Sequence, residues 1–314
     1  MMKRREFVER SAALGLFAAV GAIAKPVSTL SLSFNPQKTA ASDNAAASNP
    51  LSPPAHGQIP VAFVVSKGTV MIDLAGPWEV FNNVLIMSRG SSMDDQMPFQ
   101  TYTVSESTLP ITLGGIKIIP DHTFANAPAP RVVVIPAQDG QSDAMLNWIR
   151  KVTKTTDVTM SVCTGAFVLA STGLLAGKPA TTHHSAYKSL AFKYPDIDVR
   201  RGARFVESGN LATAGGLTSG IDLALRVVER YFGRRVAENT AYQLEYQGTG
   251  WTDPASNAAY LQAAVSTEEH PLCPICGMEV DPRTAPKSVY KGKIYYFCSE
   301  DHKAQSDAAP EKWL

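Results

Sequence analysis

Asp157-Val-Thr-Met-Ser-Val-Cys-Thr-Gly-Ala-Phe-Val-Leu-Ala-Ser-Thr172 is the stretch of sequence that decides the fold of this chain. Its first half alternates β-forming residues and predicts a short buried strand, whereas its Ala- and Leu-rich second half predicts a helix. Cys163 lies at the joint, between the small residues Ser161 and Gly165 that a sharp turn requires. The stretch therefore predicts a nucleophile elbow with cysteine in the position that hydrolases give to serine.

The place of Cys163 also suggests its chemistry. At the beginning of a helix, unpaired N–H groups and the helix dipole favour a thiolate over a thiol. The pattern therefore predicts that Cys163 is a nucleophile held as a thiolate. A buried, unreactive cysteine is the alternative, because free cysteines are among the most buried residues.

Length and charge narrow the class of protein. The chain has 314 residues, a length typical of about two domains. Its net charge of +1 gives no electrostatic footprint for nucleic acid, and no helix-turn-helix pattern follows the main domain. We therefore expect a small-molecule substrate and no nucleic-acid partner.

The first residues are typical of an export signal. Lys3-Arg4-Arg5-Glu6-Phe7-Val8 has the twin-arginine order, and an apolar run too short to span a bilayer ends in Ala22-Ile23-Ala24. We expect a twin-arginine signal peptide over 1–24 and a periplasmic or otherwise exported protein; an amphipathic first helix of a cytosolic protein is the alternative. The Ala-, Ser-, Asn- and Pro-rich residues 25–58 predict a disordered spacer.

Residues 59–250 predict the main domain. Continuous apolar runs at 59–66 and 131–136 are typical of strands covered on both faces, and helical patterns at 73–87, 142–151 and 219–232 alternate with the strands. This alternation predicts an α/β fold with a mostly parallel sheet and helices on both faces. In such sheets the reactive site lies at the carboxyl ends of the strands, where Cys163 falls.

Several polar residues are predicted at the same edge of the sheet. Asp73 ends the first strand-to-helix loop and could accept the thiol proton or activate water, or serve as a helix N-cap. Thr164 places a hydroxyl directly after the cysteine, although it could be an ordinary residue of the first helical turn. Backbone N–H groups of the loop at 135–140, together with that of Thr164, could form an oxyanion pocket. His183 and His184 follow at the next loop, where surface or core histidines are favoured over a partner for the thiol.

These residues carry a resemblance to a known family. Asp73-Leu-Ala-Gly-Pro-Trp-Glu-Val-Phe, Ser161-Val-Cys-Thr-Gly-Ala-Phe-Val-Leu-Ala and the stretch that ends in Ala-Thr-Ala-Gly-Gly-Leu-Thr-Ser-Gly-Ile-Asp222 resemble the PfpI/ThiJ family of the glutamine amidotransferase-like superfamily, within it the isonitrile hydratase-like branch. The resemblance implies a flavodoxin-like sandwich, usually a homodimer, with no cofactor at the main site. It also implies that Asp73 is the acid and base, Cys163 the nucleophile and Thr164 an assisting residue.

The tail has its own cysteine pattern. Cys273 and Cys276 form a C-x2-C pair, and after 21 intervening residues Cys298 and His302 form a C-x3-H pair. This is the spacing of a tetrahedral soft-metal site. Disulfide bonds are the alternative in an oxidising compartment, but three tail cysteines cannot all pair among themselves. The donor set permits Zn(II) or Cu(I).

The tail, residues 266–314 after a linker at 251–265, resembles the YHS domain. The resemblance implies a small treble-clef-like module that binds zinc or a copper-type soft metal. A domain of about fifty residues needs such a staple to fold. The sequence thus predicts an exported cysteine-dependent hydratase or lyase with a metal-binding tail. A non-enzymatic metal-handling protein, or a redox or stress sensor whose oxidisable group is Cys163, is the competing hypothesis.

Overall fold

The computed structural model describes residues 49–261 and 266–314. The predicted signal peptide and most of the predicted spacer therefore lie outside the described residues. No helix in the described part of the chain is both long enough and apolar enough to cross a lipid bilayer.

A mostly parallel sheet forms the centre of the main domain. Its strands lie in the order β10-β11-β7-β6-β1-β2-β5, and every neighbouring pair is parallel except the β10–β11 edge hairpin. The strands of this sheet are β1 (Ile59–Val64), β2 (Phe99–Ser105), β5 (His122–Thr123), β6 (Val132–Ile135), β7 (Val158–Ser161), β10 (Phe205–Ser208) and β11 (Leu211–Ala214). Two small ladders accompany it: β3 (Ile111–Leu113) with β4 (Ile116–Ile118), and β8 (Pro179–Ala180) with β9 (Asp198–Val199).

Helices cover both faces of the sheet. The helices of the main domain are α1 (Met71–Asn82), α2 (Met93–Gln96), α3 (Asp143–Val152), α4 (Gly165–Ser171), α5 (Tyr187–Lys193), α6 (Ser219–Phe232) and α7 (Arg234–Gln243). Short 3-10 turns lie at Met87–Arg89, His184–Ala186, Gly250–Thr252 and Ala258–Leu261. The predicted α/β sandwich with a mostly parallel sheet is thereby confirmed.

Two hydrophobic cores lie on opposite faces of the sheet, and β1 contributes to both. Val61 and Phe63 point into one core, which α1 and α6 cover, while Ala62 and Val64 point into the other, which α3 and α4 cover. Successive strand residues face opposite sides, so a strand buried on both faces must be apolar throughout. The continuous apolar run at 59–66 therefore predicts a strand that is covered on both faces.

The first helix differs from its prediction over 73–87. It begins at Met71 and ends at Asn82, because the Asn83 side chain donates a hydrogen bond to the Glu79 carbonyl at 2.7 Å and the Asn83 N–H bonds back to Val80. Asp73 therefore lies inside the first helical turn rather than in the preceding loop.

Some residues that we assigned to the spacer and to the linker pack on the main domain. Arg230 donates a hydrogen bond to the Asn49 carbonyl at 2.8 Å, and Arg89 donates one to the Pro54 carbonyl at 2.6 Å. In the predicted linker, Trp251 is buried beneath the Arg234 guanidinium. These contacts depend on arginines distant in sequence, so local composition does not reveal them.

The tail forms a small module with its own core. A hairpin of β12 (Lys287–Tyr290) and β13 (Lys293–Tyr296) precedes α8 (Glu300–Ala308) and α9 (Pro310–Trp313). Ile275 and Phe297 are fully buried beside two of the cysteines. The module contacts the main domain through Trp313, whose ring lies 4.6 Å from that of Phe192.

Candidate functional site

The predicted elbow is present at the joint between β7 and α4. Cys163 has φ 58°, a left-handed conformation that is strained for a residue with a side chain. Its N–H donates to the Gly215 carbonyl at 2.9 Å, and the Thr182 hydroxyl donates to the Cys163 carbonyl at 2.9 Å. Both backbone groups of the cysteine are thus held by neighbouring strand-end loops, which fixes the strained turn.

Gly165 allows the elbow to pack against the neighbouring strand. A Cβ on this residue would lie 2.1 Å from the Ile135 carbonyl oxygen and 2.8 Å from that of Pro136. These are backbone atoms that cannot rotate away. The helix can therefore approach the end of β6 this closely only if residue 165 has no side chain.

Asp73 lies beside the cysteine and is fully buried. Its Oδ2 accepts a hydrogen bond from the Ala137 N–H at 3.1 Å, and the N-cap position of its helix is Val70. The alternative role of Asp73 as a helix N-cap is therefore wrong. Burial raises the pKa of Asp73 from 3.8 to about 6, against the lowering effect of hydrogen bonds with Ala137 and Cys163.

The thiol of Cys163 is in the protonated form at neutral pH. Burial and the neighbouring charge of Asp73 raise its pKa to about 11, although the N–H groups of Thr164 and Leu217 and the Thr164 hydroxyl stabilise the thiolate. The expected resting thiolate is therefore wrong, because desolvation of a buried sulfur outweighs the pull of the helix N-terminus. The site instead pairs a thiol with a carboxylate that can accept its proton.

The N–H groups around the sulfur differ from the expected oxyanion pocket. In the loop at 135–140, the Ala137 N–H is occupied by Asp73 and the Asp139 N–H by the Lys67 carbonyl. Two backbone N–H groups lie at the sulfur of Cys163: one belongs to Thr164 and the other to Leu217, whose φ is 49°. The sequence patterns above do not single out Leu217, although the Gly-Gly pair before it, directly after a buried strand, indicates a turn at this edge of the sheet.

The two histidines lie near the elbow but do not engage the sulfur. His183 Nδ1 accepts a hydrogen bond from the Ser185 N–H, and its ring packs against Gly216, where a Cβ would lie 2.2 Å from Cδ2. Burial and His184 lower the pKa of His183, so the ring is neutral at pH 7. Within the described residues, neither histidine hydrogen-bonds Cys163.

The tail brings its four candidate ligands together. One donor atom from each of Cys273, Cys276, Cys298 and His302 lies within 4.8 Å of all the others, and the three cysteines are free. The Sγ atoms of Cys276 and Cys298 are 3.5 Å apart, and Cys298 Sγ lies 3.1 Å from His302 Nδ1. In a tetrahedral zinc site the ligand atoms are about 3.8 Å apart, so this donor set fits such an ion.

Cys298 and His302 approach each other at the beginning of α8. Cys298 lies just before the helix rather than on its face, because Ser299 is the N-cap of α8 and accepts a hydrogen bond from the His302 N–H at 3.2 Å. His302 is then in the first helical turn. The cap, rather than helical spacing, brings the two ligands together.

Two family patterns match the chain in separate segments. The pattern of the DJ-1/PfpI family matches residues 60–230, and that of the YHS domain matches residues 273–314. The first segment contains the elbow and Asp73, and the second contains the four candidate ligands of the tail.

Individual relatives agree with these matches. An isonitrile hydratase from Pseudomonas putida is 31% identical over 235 residues, which cover 72% of this chain and 96% of that protein. A crystal structure of a ThiJ/PfpI family protein from Pseudomonas syringae has 27% identity and a TM-score of 0.52, covering 62% of this chain and 78% of the other. A copper-transporting P-type ATPase from Rhizobium leguminosarum bv. viciae is 50% identical over 42 residues, 13% of this chain and 5% of that protein.

Proposed function

The chain belongs to the DJ-1/PfpI family, and from that premise we propose that it is a cysteine-dependent hydratase that converts isonitriles into N-substituted formamides. The observation that carries the proposal is the buried pair of Cys163 and Asp73, in which a thiol faces a carboxylate with a pKa of about 6. Such a carboxylate can accept a proton and return it near neutral pH. The likeness to an isonitrile hydratase over most of the chain supports the choice of substrate.

The first half of the reaction is a covalent addition. Asp73 accepts the thiol proton as the sulfur of Cys163 adds to the terminal carbon of the isonitrile. Asp73 then delivers that proton to the same carbon, which leaves a thioimidate bound to the sulfur. Loss of the charge on Asp73 removes one of the causes that raise the pKa of Cys163, so protonation of Asp73 favours the thiolate that adds to the carbon.

The second half of the reaction is hydrolysis. Asp73, again a carboxylate, takes a proton from water as its oxygen adds to the carbon, and passes that proton to the nitrogen. The C–S bond breaks as the remaining hydroxyl proton returns to sulfur, which releases the formamide and the thiol. The N–H groups of Thr164 and Leu217 and the Thr164 hydroxyl lie at the sulfur, where they stabilise the departing thiolate.

Turnover of a panel of isonitriles, followed as formamide appearance, tests this function. We expect turnover by the intact chain, its loss in Cys163→Ala and Asp73→Ala, and a smaller loss in Thr164→Val. Asp143→Asn, which removes an exposed carboxylate of α3, is the matched control and should remain active. Full activity of Cys163→Ala, or no turnover of any isonitrile by the intact chain, would refute the proposal.

We also propose that the tail binds a soft metal ion, zinc or copper(I), through Cys273, Cys276, Cys298 and His302. The convergence of these donors supports it, as does the likeness to a copper-transporting ATPase. When bound, the ion would supply a structural cross-link between the C-x2-C turn and α8. Chelation should increase proteolysis of the tail, and a tail equally resistant without metal would contradict this proposal.

A redox-sensing role for Cys163 is less well supported. Oxidation begins from the thiolate, and burial next to Asp73 keeps this sulfur protonated.

Export by the twin-arginine route and a homodimer remain parts of the proposal. They are tested by cell fractionation with Arg4→Lys and Arg5→Lys together, and by light scattering of the mature chain.

A further inference from the structure

A large cleft lies between the tail and the main domain. It has a volume of about 1160 Å³, and its walls include Cys273, Cys276 and Gly277 of the tail, His184 of the main domain and Tyr260 of the segment that follows the main domain. The rings of His184 and Tyr260 stack with centroids 4.9 Å apart and planes 16° apart, which makes one wall flat. Two of the proposed metal ligands therefore line a space large enough for a small-molecule ligand.

Positive charge dominates this cleft. Lys188, Arg201 and Lys293 line it, whereas Glu268 is its only carboxylate among the described residues. All four side chains are exposed, and none of the three cations forms an ion pair in the described part of the chain. Unpaired charges of one sign in a cleft focus the field and raise the local concentration of oppositely charged ligands.

This charge conflicts with direct capture of a bare metal cation. A cleft with an excess of positive charge slows the approach of a cation and speeds that of an anion. Cysteine ligands, by contrast, select soft metal ions. Small thiols in solution bind the same metal ions, and the resulting complexes carry a net negative charge. We therefore propose that this cleft receives a soft metal ion as an anionic complex of a small thiol, and that the metal passes there to Cys273 and Cys276. The inference rests on the proposed metal-binding function of the tail.

Transfer from such a complex is a ligand exchange without oxidation or reduction. Each metal–sulfur bond to the small thiol breaks as a bond to a protein sulfur forms. The proton of the incoming cysteine thiol goes to the departing thiolate, which leaves as a neutral thiol. Lys188 and Arg201 lie on the main-domain side of the cleft, where they can hold carboxylates of the donor while the tail cysteines attack its metal.

The experiment compares two sources of Cu(I) for the full mature chain with its tail thiols reduced. One source is Cu(I) bis-glutathione, which is anionic, and the other is the cationic Cu(I) acetonitrile complex. Protein-bound copper is counted after rapid desalting at timed intervals, at low and at high ionic strength. We expect the double variant Lys188→Glu with Arg201→Glu to take copper from the glutathione complex about tenfold more slowly than the wild type at low salt, and at a similar rate at high salt.

Lys117→Glu with Lys154→Glu is the matched control, because it makes the same change in net charge at exposed lysines outside the cleft. It should take up copper at the wild-type rate, and all variants should reach the same final copper content. Equal rates for the cleft variant and the control, or a slowing of the cleft variant that is as large with the cationic complex as with the anionic one, would overturn the inference while leaving metal binding intact. A chain that binds no copper from either source would instead refute the metal function itself.

Discussion

Asp73 should reduce the stability of the protein at the pH where it serves the proposed reaction. Its pKa is 3.8 when solvated and about 6 in the folded chain, so the folded state holds the proton more tightly than the unfolded state does. The stability linked to this group is therefore fully present below pH 4 and is lost as the pH rises through 6. A difference of about two pKa units corresponds to about 3 kcal/mol of unfolding free energy.

Asp73→Asn removes the loss of unfolding free energy that the ionisation of Asp73 causes as the pH rises. The asparagine carbonyl can still accept the hydrogen bond from the Ala137 N–H, so any loss of packing is a constant offset. We expect the unfolding free energy of the variant minus that of the wild type to rise by about 2.5 kcal/mol between pH 4 and pH 8. Cys163→Ala should enlarge this rise, because the hydrogen bond from Cys163 lowers the pKa of Asp73.

Urea unfolding at several pH values measures this difference. Tryptophan fluorescence is a suitable signal, because two of the four tryptophans, Trp78 and Trp148, lie in the main domain and Trp251 is buried against it. Asp143→Asn, at an exposed site on α3, is the control and should show no comparable rise. A difference between Asp73→Asn and the wild type that stays flat from pH 4 to pH 8 would refute the account of Asp73 as a desolvated carboxylate.

Three further outcomes follow from the structure. Gly165→Ala should lower the melting temperature by roughly 10 °C, because the added Cβ meets backbone carbonyls that cannot move. Gly76→Ala is the comparison, because its Cβ meets only the side chains of Ile221 and Ile72. A fall in melting temperature for Gly165→Ala no larger than that for Gly76→Ala would contradict this. The rate of Cys163 alkylation by iodoacetamide should rise about tenfold per pH unit from pH 7 to pH 10, because its pKa is about 11, and a plateau near pH 8 would contradict that pKa. Asp222→Asn should cost about 3–5 kcal/mol of stability, because Arg204, whose side chain is only 14% exposed, then lacks an opposite charge. Asp198→Asn, which breaks an exposed pair, should cost less than about 1 kcal/mol, and equal losses in the two variants would be contrary evidence.

Strong local patterns predicted much of the fold. The helix Ser219–Phe232 begins and ends where its hydrophobic pattern predicts, and the strand Val132–Ile135 lies within the predicted run at 131–136. The elbow was predictable because its strand, its small residues and its helix are adjacent in the chain. The grouping of the four candidate ligands of the tail was predictable because C-x2-C and C-x3-H spacing is typical of residues that meet around one metal ion. Their convergence agrees with that spacing.

The sequence by itself determined the alternation of strands and helices, the elbow at Cys163 and the pattern of candidate ligands in the tail, because each depends on residues close together in the chain. Tertiary structure alone decided the protonation of Cys163, the hydrogen bond of Asp73 to Ala137 and the place of Leu217 beside the sulfur. The physical reason is that a side chain loses its contact with water only when segments distant in the sequence pack around it in the folded core. A helix N-terminus favours a thiolate wherever it occurs, but only the folded interior shows that burial and a neighbouring carboxylate outweigh it.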